Sequence, residues 1–173
     1  SAFRRQRQMC IRDRNNWKAT LIRQLYSETR LILEQGGEAL NSENRMVEAK
    51  KLLREKLFDW DPKDIKLEIG RHYPPYWQGF QIDTQFAFAN LLKNLGSDEI
   101  KIDLTPDSDR DATRICFALS DHPGIFSRLS GALALVGANV VDARSYTSKD
   151  GFATAAFWIQ DVDGAPYNQS KFS

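Results

Sequence analysis

Asp121-His122-Pro123-Gly124-Ile125-Phe126 stands between two patterns of different period. Upstream, Thr113 to Ser120 alternates. Ile115, Phe117 and Leu119 fall on one face and the small Cys116 and Ala118 on the other, as in a buried strand. Downstream, Ile125, Leu129, Ala132, Leu133 and Val136 recur at helical spacing, and Gly137 stops the run. A strand passing through Asp-x-Pro-Gly into a helix leaves the first amides of that helix unpaired and aimed at one point. With a short carboxylate beside them, one small site could hold both the carboxylate and the ammonium of an amino acid. Such a site has no nucleophile and points to sensing.

The following residues extend the pattern. Asn139 to Ser148 is rich in β-branched and small residues, and Lys149-Asp150-Gly151 reads as a hairpin turn in which Asp-Gly supplies positive φ angles. Phe152 to Gln160 reads as a strand with Phe152, Thr154, Ala156 and Trp158 on one face, and Ala153, Ala155, Phe157 and Ile159 on the other. Strand, helix, strand, hairpin, strand begins a βαββαβ unit. Residues 112–163 resemble an ACT domain, a small amino-acid-sensing module of ferredoxin-like fold. The family's Asp-x-Pro-Gly loop falls on Asp121, Pro123, Gly124, Ile125 and Phe126, and its Gly-x-Asn-Val-x-x-Ala strand entry on Gly137, Asn139, Val140 and Ala143. The resemblance implies a ligand site at Asp121, His122, Pro123, Gly124, Ile125 and Asn139.

The family continues with a second helix and a fourth strand, whereas only six residues follow Asp163-Gly164-Ala165-Pro166-Tyr167. The expectation is therefore an α+β chain: a helical region over 15–98, then an incomplete ACT domain over 99–173, truncated after its third strand. An unfinished sheet exposes an edge and half a core, a liability that natural domains cover. The chain is accordingly expected to be a piece of something longer.

Residues 1–14 carry five arginines and one acid, leaving 19 basic against 22 acidic residues in the rest of the chain. One reading of this segment is a nucleic-acid-binding arm. The preferred one is a non-native extension, because Arg-Arg-Gln-Arg-Gln-Met-Cys-Ile-Arg-Asp-Arg looks like a translated sequencing adaptor. A mildly acidic body argues against nucleic acid as a partner. No apolar run has the length of a membrane span. The two cysteines offer no disulfide framework, and a reducing, cytoplasmic setting fits.

The helical region has its own signals. Asn15 or Asn16 can cap a helix bearing Trp17, Leu21, Leu25, Ile32 and Leu33, ended by Gly36-Gly37. Ser42 is expected to cap a second helix, Asp61-Pro62 to start a third, and Asp83 to cap a fourth that Gly96 closes. Arg71 to Trp77 looks too rigid and aromatic to continue a helix. Ile100, Ile102 and Leu104 alternate as a short strand, most simply a hairpin partner of Thr113–Ser120, and Thr105 to Asp111 reads as a polar turn.

Trp17 to Tyr26, Arg71-His72-Tyr73-Pro74-Pro75-Tyr76-Trp77 and the ACT loop occur in that order. Together they resemble the C-terminal half of the bifunctional PII uridylyltransferase/uridylyl-removing enzymes. The resemblance implies helices closing an HD domain followed by the first of two ACT domains. It implies glutamine as effector, the PII protein as partner of the parent enzyme, a second ACT domain as neighbour, and Mg²⁺ for the parent's chemistry. No catalytic residue is assigned here. His72 and His122 are the only histidines and neither precedes an aspartate; no P-loop, dinucleotide fingerprint, zinc spacing or Ser-His-Asp arrangement occurs. Asp107-Ser108-Asp109 reads as a turn rather than a metal site. The alternative is a free-standing amino-acid-binding ACT module of another metabolic enzyme.

Several residues keep two readings. Asp121 could pair with a ligand ammonium or cap the next helix, and Gly124 could admit a ligand or only make the turn. His122 reads as a solvated loop residue rather than a pH switch. Asn139 could reach a ligand across a module–module interface or serve the turn after Gly137.

Overall fold

The computed structural model describes residues 38–167, and side-chain surroundings from residue 41. The arm and the helix expected from Asn15 lie outside the described residues. The chain divides into a unit Ser1–Asn44 and a unit Arg45–Ser173, and it is the second that carries the packing below.

Among the described residues four helices precede the sheet: α1 (Glu38–Lys56), α2 (Pro62–Arg71), α3 (Pro74–Gly79) and α4 (Ile82–Leu92). Asp61 caps α2 as its sequence predicts, its carboxylate accepting from the Lys63 amide at 2.8 Å, with Pro62 in the first turn. Three other boundaries differ from expectation. Ser42 lies inside α1 (Glu38–Lys56) rather than at a helix start. Gln81, not Asp83, precedes α4, and Asp83 sits in its first turn, where it bonds Lys56. Asn94 with φ 54°, rather than Gly96, takes the left-handed conformation after that helix. Pro74 and Pro75 interrupt α2 and then open the short α3, since a missing amide costs nothing in a first helical turn.

The strands are β1 (Ile100–Asp107), β2 (Ala112–Ser120), β3 (Asn139–Thr147) and β4 (Phe152–Gln160), with α5 (Ile125–Leu135) crossing from β2 to β3. They form one antiparallel sheet in the order β1-β2-β4-β3. β1 runs to Asp107, three residues further than its alternation shows, with Pro106 tolerated on an edge strand. It pairs with β2 as a hairpin, Ile102 opposite Phe117 and Leu104 opposite Ile115. β1 therefore takes the edge beside β2, the hairpin pairing that the alternation of Ile100, Ile102 and Leu104 leads one to expect.

Alternation in β2 and β4 divides the core in two. Ile115, Phe117, Leu119, Ala153, Ala155, Phe157 and Ile159 meet Leu133, Ile125, Phe126 and Leu129 of α5. Cys116, Ala118, Ala156 and Trp158 face the other way, with Tyr76 and Trp77 of α3, Phe80 just after it, and Phe88 and Leu92 of α4 in the same core. Both faces of the two central strands are therefore buried, which explains their near-continuous apolar composition. On the α5 side, Ile100 and Ile102 of β1 keep 60% and 50% of their surface exposed, so that flank is incompletely covered.

Two local devices set the geometry. α5 closes with Ala138 donating to the Leu133 carbonyl (3.0 Å) and Gly137, φ 75°, to that of Ala134 (3.1 Å). That is the paired C-terminal bonding a left-handed glycine allows, with the Leu133–Ala138 apolar contact beside it. In β3 the register jumps between Val140 and Asp142, a bulge at Val141 that puts Ala143 on the same face as Val140.

Candidate functional site

The loop between β2 and α5 is built by one glycine. Gly124 adopts φ 83° and turns the chain into α5; the space where a Cβ would lie is open. The Ile125 amide donates to the His122 carbonyl at 3.2 Å and the Arg128 amide to that of Gly124 at 3.0 Å. No side chain caps α5, and among the described residues the amides of Phe126 and Ser127 between them have no partner. The positive end of the helix therefore presents two free donors to solvent.

Asp121 is exposed, but it is not the cap of α5, as one reading of the sequence had it. Its carboxylate accepts from the Thr147 hydroxyl at 2.8 Å, and its amide donates to the Gly151 carbonyl at 2.8 Å. The acid is thereby fixed to the β3–β4 hairpin, with one carboxylate oxygen uncommitted. His122 and Pro123 are exposed, and Ile125 is half-buried against the α5-side core.

Asn139 is elsewhere. It pairs with Gln160 at the start of β3, whereas the Asp121 loop lies beside Thr147 at the other end of that strand. Eight strand steps separate them, roughly 26 Å. Within one chain, Asp121 to Ile125 form one contiguous turn and Asn139 is not part of it. The positive φ in the turn before β3 belongs to Gly137, not to Asn139.

The hairpin that holds Asp121 carries residues that sequence reasoning missed. Ser148 donates its amide to the Phe152 carbonyl (2.8 Å) and Gly151 donates to that of Ser148 (3.0 Å), a three-residue loop closed by Gly151 at φ 84°. Only Gly151 takes positive φ; Asp150, expected to share it, does not. Asp150 instead pairs with Arg71 at 2.8 Å.

The Arg71–Trp77 stretch is a packing element. His72 stacks on Tyr76 with ring centroids 3.6 Å apart, and Tyr76 and Trp77 are buried, while Tyr73 is half exposed. Burial drives the Tyr76 hydroxyl well above its ordinary pKa, so it stays protonated. Asp107 accepts from the Trp158 indole at 2.7 Å, and Arg110, stacked on that ring, pairs with Asp142. Among the described residues no three His, Cys, Asp or Glu side chains cluster to hold a metal ion. No helix among them is long and apolar enough to cross a membrane.

The ACT domain family model matches residues 115–169. The bifunctional uridylyltransferase/uridylyl-removing enzyme of Cereibacter sphaeroides is 65% identical over 157 residues, 91% of this chain and 17% of that protein. Its counterpart in Ruegeria pomeroyi is 61% identical over 163 residues, 91% of this chain and 18% of that protein. The one in Gluconobacter oxydans is 39% identical over 162 residues, covering 90% and 17%. The chain thus spans less than a fifth of the length of these curated relatives.

Proposed function

Because this chain belongs to the bifunctional uridylyltransferase/uridylyl-removing enzyme family, as a segment that includes an ACT domain, we propose that it is a regulatory part of such an enzyme. In this reading the Asp121–Ile125 loop binds glutamine and sets the balance between uridylylation and deuridylylation of PII. The observation that carries it is the joining of an exposed, fixed carboxylate to a helix start with two unpartnered amides. The α-carboxylate of the ligand lies against the Phe126 and Ser127 amides, and its ammonium lies at the uncommitted oxygen of Asp121. Loop and helix supply recognition only. Nucleotidyl transfer, its Mg²⁺ and UMP removal belong to other parts of the parent enzyme.

Support for a neighbouring ACT domain comes from the β3 edge. Among the described residues β3 has one strand neighbour, and Leu135 is 90% exposed, with Val136 and Val141 also open. An apolar strip beside an unpaired edge suits a second module of the same kind. Asn139 lies on that edge, so it would meet a ligand held mainly by the neighbour.

The test is glutamine calorimetry on the full-length protein with Asp121→Ala. Loss of a charge-assisted contact should cost about 1.5–3 kcal/mol, about one to two decades of affinity. A second ACT domain makes partial loss of the regulatory response the expected outcome. An unchanged half-saturation would put the sensor elsewhere. The isolated chain, lacking that neighbour, should bind glutamine weakly or not at all; micromolar binding would favour the free-standing module.

A further inference from the structure

Helix α2 ends without a cap of its own. His72 follows it in extended conformation, and no glycine turns the chain back over its last carbonyls. Those carbonyls are satisfied by the β3–β4 turn: the Lys149 amide donates to Arg71 O at 2.8 Å, and Lys149 Nζ to Gly70 O at 2.9 Å. Asp150 adds the ion pair to Arg71, whose side chain is 9% exposed. Arg71 in turn donates to the buried Glu68 at 3.1 Å, and the other oxygen of Glu68 lies 2.9 Å from His72 Nε2.

The same turn holds the candidate site from its other side. Gly151 O accepts the Asp121 amide, and Thr147 donates to the Asp121 carboxylate. Five consecutive residues, Thr147 to Gly151, therefore bond at once to the loop and to a helix end, positions far apart in sequence. No other segment among the described residues bonds both.

Resting on the glutamine reading above, we infer that Arg71 and Asp150 are positioning residues that hold the Asp121 loop in register with the end of α2 and pass its occupancy to the helices. A ligand drawing Asp121 toward its ammonium pulls on Thr147 and Gly151. The turn cannot follow without disturbing the Lys149 and Asp150 contacts that cap α2. The buried Glu68–Arg71–His72 network makes that helix end costly to leave half-bonded, so the displacement is carried rather than absorbed.

Asp150→Asn in the full-length protein tests this. Asn keeps the oxygen that accepts from Ser148 but loses the charge facing Arg71. Glutamine affinity should change less than about tenfold, while the glutamine-induced shift between the two activities should fall at least about fivefold, the lower end of ordinary coupling. Hydrogen exchange should show the Lys149 amide losing protection while the Asp121 amide keeps it. Lys149→Ala, which removes the Gly70 contact from an exposed side chain, should act in the same direction if Asp150→Asn unfolds the protein. A normal glutamine response in both variants, with Asp121→Ala still impaired, would overturn the coupling and leave the site. A normal response in Asp121→Ala as well would remove the site, and this inference with it.

Discussion

Gly79, the last residue of α3, lies directly against the Tyr146 side chain of β3. A Cβ there would lie 1.7 Å from Tyr146 Oη, 2.4 Å from its Cζ and 2.8 Å from Cε2, so Gly79→Ala cannot coexist with the Tyr146 ring where it stands. That ring packs edge-on against Phe80 at 5.0 Å and Tyr76 at 6.2 Å. Displacing it forfeits two aromatic pairs worth about 0.5–1.5 kcal/mol each and adds an overpacking cost of about 1–3 kcal/mol. Alanine returns about 0.5–1 kcal/mol of helix propensity at the end of α3, so the net loss should be about 1–5 kcal/mol. The measurement is urea unfolding followed by tryptophan fluorescence, arranged as a cycle with Tyr146→Ala. With the ring removed, Gly79→Ala should become neutral or mildly stabilising. If it costs the same in both backgrounds, the collision is not what requires glycine at this position.

Other outcomes follow from single environments. Gly124→Val should destabilise by about 1–2 kcal/mol through its positive φ alone, because the space around its Cβ is open; equal urea midpoints for valine and glycine would deny the strain. Burial pushes the Cys116 thiol up to about 12, so in a Cys10→Ser background the native protein should resist Ellman's reagent at pH 8 and react only as denaturant opens the core. The hydrogen bond from Lys56 lowers the Asp83 pKa, so its small contribution to stability is present above the ordinary carboxylate range. That contribution is lost as pH falls through the lowered value. An NMR titration should show Asp83 returning to its ordinary pKa in Lys56→Ala.

Much of the sheet is legible because its signals are local. β2, β4 and α5 each carry their full period in one continuous run, so neighbours along the chain suffice to place them. Helix boundaries were less so: Ser42, Asp83 and Gly96 are residue types that cap or stop helices, but tertiary partners decide where they sit. Asp83 is engaged by Lys56, 27 residues away, and the chain simply runs on through Ser42. The bulge at Val141 was invisible because Val140-Val141 fits either parity of a strand, and which of the two leaves the ladder depends on β4. The small residues Cys116, Ala118 and Ala156 did carry a message: a sheet face that small must be covered by elements able to come close, and α3, with Gly79 against β3, is such an element.

For the candidate site, the same division has a functional edge. The loop Asp121 to Ile125 could be read directly, since acid, proline and glycine lie within five residues. Thr147, Asp150 and Arg71 could not, because their roles come from topology: the β3–β4 turn is brought to the loop by one strand pairing and to the end of α2 by the packing of α3 on the sheet. Arg71 alone shows the cost of reading it locally. In sequence it is a basic residue in the last turn of a helix, where a cation complements the dipole at an exposed surface. In the fold it is nearly buried, shared between Glu68 and Asp150. Removing it would take the cationic partner from one oxygen of each of two carboxylates, one of them inside the core, a larger loss than any surface dipole term. Residues that bind a ligand can be contiguous, but residues that connect a ligand loop to a distant helix must come from both, and no local pattern records that.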